Sequence, residues 1–236
     1  MQLPPLISGT LLRRYKRFLA DVRLENNEQI TAFTPNTGSM RGCSAPGSRV
    51  RLSKSDNPKR KYPYTLELVQ SGSTWVGVNT GFPNLLVRNA IESGLFPSLS
   101  GYEQIRSEVK YGVNSRIDLL LKSGSRLCYV EVKNVTLVEN KTAFFPDAVT
   151  TRGTKHLNEL IGQVQRGNRA VMVYTVQRND AARFSPAFFI DPVYTKTLKT
   201  AVKTGVEIIA AEAAITDTSI TLNRELPVDL YPAQVE

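Results

Sequence analysis

Arg116-Ile117-Asp118-Leu119-Leu120-Leu121-Lys122-Ser123-Gly124-Ser125-Arg126-Leu127-Cys128-Tyr129-Val130-Glu131-Val132-Lys133 is the stretch that decides the fold. Ser123-Gly124-Ser125 splits it into two apolar runs, the pattern of a β-hairpin. Side chains alternate along a strand, so Glu131 and Lys133 share one face, while Val130 and Val132 point to the other, expected to be buried. With Ser123–Arg126 as a four-residue loop, Leu127 pairs with Lys122 and Glu131 falls opposite Asp118. A slip of one residue would turn Asp118 to the wrong face.

Two carboxylates and an ammonium on one patch of sheet have a chemical reading. Carboxylates directly opposite repel, and a divalent cation between them relieves the repulsion. Oxygen-only donors suit Mg²⁺ or Mn²⁺. Such an ion polarises a phosphate and generates hydroxide from water, and Lys133 beside it can orient the water or stabilise charge. The bland alternative is a solvated Glu–Lys pair of little energetic consequence.

Downstream of the hairpin, Thr154–Gln165 places Leu157, Leu160, Ile161 and Val164 on one helical face. Ala170–Val176 and Val206–Ala211 read as buried strands. Between them Asp191 caps a helix that has Pro192 at its first position and Gly205 at its end. The order predicts a mixed sheet flanked by helices. Upstream, Pro83 opens a helix with Leu85, Leu86, Asn89 and Ala90 at helical spacing and Gly94 as its stop. It links residues 83–94 to a front part of short strands: Phe18–Leu24, Gln29–Thr34, Arg49–Ser53, Tyr64–Gln70 and Thr74–Asn79. Phe18, Ala20, Val22 and Leu24 alternate there, so Phe18 is expected in the core. Five such strands predict an OB-like barrel. The expected division is a nucleic-acid-binding barrel over 1–82 and the mixed-sheet domain over 83–236, an α+β architecture.

Charge supports this division. The chain of 236 residues carries a formal charge of +9. Residues 1–85 hold 12 Lys/Arg against 5 Asp/Glu, and the remainder 18 against 16. A basic surface attracts polyphosphates by releasing their counterions. Arg13, Arg14, Lys16 and Arg17 form one cluster and Lys59, Arg60 and Lys61 another, and both are expected to contact phosphates. Arg152, Lys155 and His156 begin the helix after the acidic strand, where an anion is favoured. His156, the single histidine, has no second His or Cys for zinc; helix packing and phosphate contact fit it equally. Asn36-Thr37-Gly38 reads as a turn. No apolar run approaches the ~20 residues of a membrane span, so no membrane partner is expected. The N-terminus lacks a secretory pattern, and Cys43 and Cys128 are unpaired in sequence. The expected compartment is the cytoplasm.

The Asp118-x12-Glu131-x-Lys133 arrangement resembles the PD-(D/E)xK nuclease core, with Ile117 in place of the proline. That resemblance implies Asp118, Glu131 and Lys133 as catalytic residues, Asp118 and Glu131 as metal ligands, and Glu108 as a further acidic member of both sets. Longer stretches resemble the sugar fermentation stimulation protein (SfsA) family: Arg14–Val22, Pro35–Gly38, Arg60–Pro63, Ser107–Gly112, Ser115–Asp118 and Phe145–Gly153. This second resemblance runs from about residue 11 to 228. It implies an N-terminal OB-like barrel, a PD-(D/E)xK-type domain, DNA binding and a regulatory link to sugar utilisation, including maltose. Two readings stay open: a DNA-binding regulator whose acidic site is idle or grips phosphate, and a Mg²⁺- or Mn²⁺-dependent nuclease acting on DNA or RNA. Single-stranded nucleic acid is a further expected partner of the barrel.

Overall fold

The computed structural model describes residues 1–111 and 115–231. Gly112, the last residue of one of the resembling stretches, and residues 232–236 at the end of the expected second domain lie outside the described residues. Strands β1 (Leu6–Tyr15), β2 (Leu19–Leu24), β3 (Gln29–Phe33), β4 (Arg49–Lys54), β5 (Tyr64–Ser71) and β6 (Thr74–Gly77) form one sheet in the order β3-β2-β1-β4-β5-β6. A parallel bridge of Phe33 to Thr65 joins β3 to β5 and closes the sheet into an OB-type barrel. Leu11, Ala20, Val22, Val50, Leu52, Leu66 and Val69 point inward and are buried together. Each buried branched side chain contributes about 1.5–3 kcal/mol of transfer free energy.

Two expectations change here. Phe18 is 41% exposed: it lies outside β2, just past Lys16 and Arg17, which adopt positive φ and turn the chain away from the inward-facing series. The barrel also has a sixth strand, β1, that carries Arg13 and Arg14 of the first basic cluster. Its alternation is masked by Gly9 and by a register shift between Leu11 and Arg13. Gly9 is needed: a Cβ there would stand 2.5 Å from Val22 Cγ1.

Helix α1 (Pro83–Glu92) follows, ended by Gly94 at φ +78. Its buried face is Leu86, Val87, Ala90 and Ile91, and Leu85 is exposed. Then come β7 (Gln104–Tyr111), β8 (Ser115–Ser123), β9 (Arg126–Val135), β10 (Leu137–Glu139), β11 (Thr142–Phe145), α2 (Thr151–Gln165), β12 (Arg169–Val176), β13 (Arg183–Pro186), α3 (Pro192–Thr204), β14 (Glu207–Ile215) and β15 (Ile220–Glu225). The main sheet runs β15-β14-β12-β9-β8-β7, with β9, β12 and β14 parallel and the rest antiparallel. A smaller sheet, β10-β11-β13, lies beside it. Leu157, Leu160, Tyr194 and Leu198 of α2 and α3 cover one face of the main sheet. Val87, Ala90 and Ile91 of α1 cover the other, against Val130 and Val132.

Local chemistry fixes these helices. Thr150 caps α2, its Oγ1 accepting from Gly153 N. Asp191 caps α3 through Tyr194 N and also accepts from Thr150 N at 2.8 Å, so one buried carboxylate ties both helix starts together. Gly205 closes α3 at φ +112. The barrel is fastened to the sheet by Gly77 N to Gln177 O and by Trp75 and Leu68 packing with Leu86 and Ile220. Early chain and late chain also meet directly: Gln2 bridges Ser219, and Leu3 N donates to Thr218 O at 2.7 Å. Among the described residues, no helix is long and apolar enough to cross a membrane.

Candidate functional site

The hairpin has the expected register. Lys122 pairs with Leu127 and the ladder runs on to Leu119↔Val130; because Ser123 also pairs with Arg126, the turn is two residues tighter than expected. At the next rung, Asp118 against Glu131, regular pairing ends. Asp118 Oδ2 instead accepts from Val132 N at 2.7 Å. A side-chain carboxylate stands where a strand carbonyl would be, so β8 and β9 fork there.

On the other side of β8, the pairs pass from Ser107↔Leu119 to Val109↔Ile117. Glu108 between them is held at φ +55, a left-handed conformation that non-glycine residues adopt at a cost of order 1–3 kcal/mol. Asn84, in the first turn of α1, spans the gap. Its Nδ2 donates to Asp118 Oδ1 at 3.0 Å and to Glu108 Oε1 at 3.2 Å. Burial, reinforced by the charge of Glu131, pushes the Asp118 carboxyl up to about 6.

Glu131 is buried and faces α2. Lys133 Nζ donates to its Oε1 at 2.5 Å, and His156 Nδ1 contacts the same oxygen. Arg152 Nε approaches His156 Nε2 at 3.4 Å. If Nε2 accepts from Arg152, the ring proton sits on Nδ1 and donates to Glu131. Burial alone would raise the Glu131 pKa, but the Lys133 charge and the His156 hydrogen bond outweigh it and hold the group below the usual carboxylate range. Its second oxygen, Oε2, is buried without a hydrogen-bond partner. An unsatisfied buried carboxylate oxygen costs about 1–3 kcal/mol or more. Burial and the neighbouring Glu131 charge also raise the Tyr111 phenol, keeping it protonated.

The structure thus gathers Asp118, Glu131, Lys133, His156 and Arg152, with Glu108 joined through Asn84. Lys155 lies on the same helix as His156, 3.7 Å from Glu159. Among the described residues, no three His, Cys, Asp or Glu converge tightly enough to form a cation cage by themselves. The other basic residues expected to contact phosphates lie on the barrel. Arg13 pairs with Asp21 at 2.7 Å. Arg14 donates to the carbonyls of Arg17, Asn36 and Gly38, so it clamps the Asn36–Gly38 turn. Asn36 Oδ1 accepts from Gly38 N there. Lys16 and Arg17 stand at the exposed β1–β2 turn. Lys59 and Lys61 are exposed in the β4–β5 loop, where Arg60 reaches Thr65 Oγ1. Asp147 anchors the barrel loop through Ser39 Oγ and Met40 N. Sequence reasoning missed Asn84: the helix periodicity around Pro83 gives no sign that its amide joins two carboxylates contributed by strands some 25 and 35 residues later.

Residues 12–78 match the model of the SfsA N-terminal OB domain, and residues 81–219 match that of the sugar fermentation stimulation protein RE domain. The chain belongs to the SfsA family. The sugar fermentation stimulation protein homologs of Pelobacter propionicus and Citrifermentans bemidjiense are each 58% identical to it, over 98% and 97% of this chain and 100% and 99% of theirs. Among solved structures, that of Pyrococcus furiosus SfsA in complex with Ca²⁺ aligns at TM-score 0.88 and 29% identity, covering 97% of this chain and 98% of that one. The SfsA family resemblance and the barrel-plus-mixed-sheet fold read from the sequence both hold.

Proposed function

We propose that this SfsA protein binds DNA and hydrolyses its phosphodiester bonds at a divalent-cation site built on Asp118 and Glu131. The observation that carries the reading is the fork at Asp118, beside a Glu131 whose Oε2 is buried and unpartnered. The donor set fits Mg²⁺ or Mn²⁺. Both ligands offer oxygen, one or two carboxylates suffice because such ions keep several waters, and Glu108 stands by as a third. The Ca²⁺ complex of the Pyrococcus furiosus relative supports a hard cation. The bound ion would supply Lewis-acid polarisation of the phosphate and a lowered water pKa.

The chain's own residues do the rest. Lys133, held against Glu131, presents an ammonium at the edge of the site, where it orients the attacking water and offsets charge growing on the phosphate. Arg152, at the first turn of α2, offers a guanidinium to a flanking phosphate. Asn84 fixes the Asp118 carboxylate and keeps Glu108 close. The clusters Arg13, Lys16, Arg17 and Lys59–Lys61 add sequence-independent phosphate contacts. A second reading, a regulator that grips phosphate without cutting it, is favoured by the double engagement of Glu131 Oε1, which leaves that oxygen no room for a cation. Cytoplasmic DNA is the partner in both.

The test incubates plasmid, single-stranded DNA and RNA with protein and Mg²⁺ or Mn²⁺, beside Asp118→Ala and Lys133→Ala. Cutting by the wild type that both variants lose is the expected result. Binding without cutting leaves the regulator. In parallel, Mn²⁺ is expected to raise the thermal midpoint of the wild type and not of Asp118→Ala; equal shifts in both would remove the cation from this site.

A further inference from the structure

The outer surface of the barrel carries a group of arginines outside the acidic site. Strand register sets Arg23 beside Thr10 and Thr10 beside Arg49, with Ser8 beside Arg51 in the next row. Their sequence neighbours Val22, Leu24, Val50 and Leu52 point into the core, so the row faces out. Adjacent strands lie about 4.8 Å apart, which brings the Arg23 and Arg49 backbones to roughly 10 Å. Arg51 is engaged by Ser8 and by Asp217 at 3.5 Å. Among the described residues, Arg23 and Arg49 have no acidic partner.

The row ends on an aromatic. The guanidinium carbons of Arg49 and Arg51 lie 5.9 and 5.3 Å from the centroid of the Trp75 ring, within cation–π range. Trp75 is half-buried, packed on the cluster that contains Leu68 and Leu86. A groove of about 250 Å³ is lined by Arg23, Arg49, Arg51 and Trp75, with one carboxylate, Glu25, at its side. Guanidiniums beside an indole match a polyanion whose repeating unit also has a flat, unpaired π surface. A duplex keeps its bases stacked on one another and offers none; a single strand does.

We propose that this outer face of the barrel is a second binding site, for single-stranded nucleic acid. Arg23 and Arg49 take successive phosphates, and a base adds to the Trp75–arginine stack. The inference rests on the nucleic-acid reading above and deepens it, with a set of residues separate from the cutting site. Helix α1 touches both places, through Asn84 at Asp118 and Leu86 in the cluster against Trp75.

Trp75 is the only tryptophan in the chain, so its fluorescence is a single-site reporter at this face. Oligothymidylate is titrated into the full-length protein in EDTA, which suspends cutting. Trp75 emission is expected to fall saturably, in step with the anisotropy of a labelled oligonucleotide. Arg23→Ala/Arg49→Ala, two exposed changes, is expected to reduce the salt slope of binding by about 1.4, at about 0.7 per lost single-strand phosphate contact. Binding with unchanged Trp75 emission, or an unaltered slope in the double variant, overturns the site. Equal quenching by heparin, a polyanion without bases, overturns the stacking. Loss of plasmid cutting with quenching intact would instead sink the nuclease reading alone, and cutting with a silent Trp75 would sink this one alone.

Discussion

Arg13 on the barrel and Glu131 in the mixed sheet each meet an opposite charge, at 2.7 and 2.5 Å. The Arg13 side chain is 69% exposed and that of Glu131 1%. In the barrel, water already solvates and screens the charge, so the pair adds little to folding. In the sheet, charges have been stripped of water and depend on one another for compensation. The same chemistry therefore leaves a solvated pair in one region and a cluster of dehydrated, mutually dependent charges in the other.

The sharpest way to break that contrast is Glu131→Ala. It leaves the Lys133 ammonium and the His156 ring without their acceptor, and about 3–5 kcal/mol of stability is expected to go, read from urea unfolding. A cost no larger than that of Arg13→Ala would end the distinction. Asp118→Asn acts in the opposite sense. The folded-state pKa of Asp118 is raised from 3.8 to about 6 by burial and by Glu131, so folding favours its protonated form. That contribution is complete below about pH 4 and disappears as pH climbs through 6. The gap corresponds to about 3 kcal/mol. Asp118→Asn should therefore exceed the wild type in stability by up to about this amount at pH 8 and match it at pH 4; a difference independent of pH would contradict the assignment.

Asp191→Ala tests a buried carboxylate with a purely structural task. Losing its bonds to Tyr194 N and Thr150 N should cost about 2 kcal/mol at neutral pH, whether or not a divalent cation is present. Arg13→Ala is the smallest effect: the urea midpoint should not move measurably. A midpoint shift as large as that of Asp191→Ala would show that the barrel's charges also bear on its folding.

The sequence made the fold readable wherever a period ran unbroken. Val130–Lys133, the Asp191-Pro192…Gly205 signals and the helix to Gln165 lie where their patterns put them, although α2 begins a turn earlier, at Thr151. Legibility failed where tertiary closeness overrode period. β1 hides behind Gly9, whose missing side chain is demanded by Val22 of another strand. Phe18 continues an alternating series that the Lys16–Arg17 turn has already left. At the site, Asp118, Glu131 and Lys133 share one hairpin, and local geometry suffices to bring them together. Asn84 comes from a helix, and its role depends on how α1 docks on the sheet. His156 was placed on the right helix, but only the α2–β9 packing reveals that it meets Glu131.

The hydrogen bond from Leu3 to Thr218 bears on how the molecule is made. A ribosome delivers residue 3 more than two hundred residues before its partner, so that seam can be sewn only once residue 218 has been made. Until then the segment before β1 has no partner to bond, and the barrel waits on a distant stretch of the chain for this fastening.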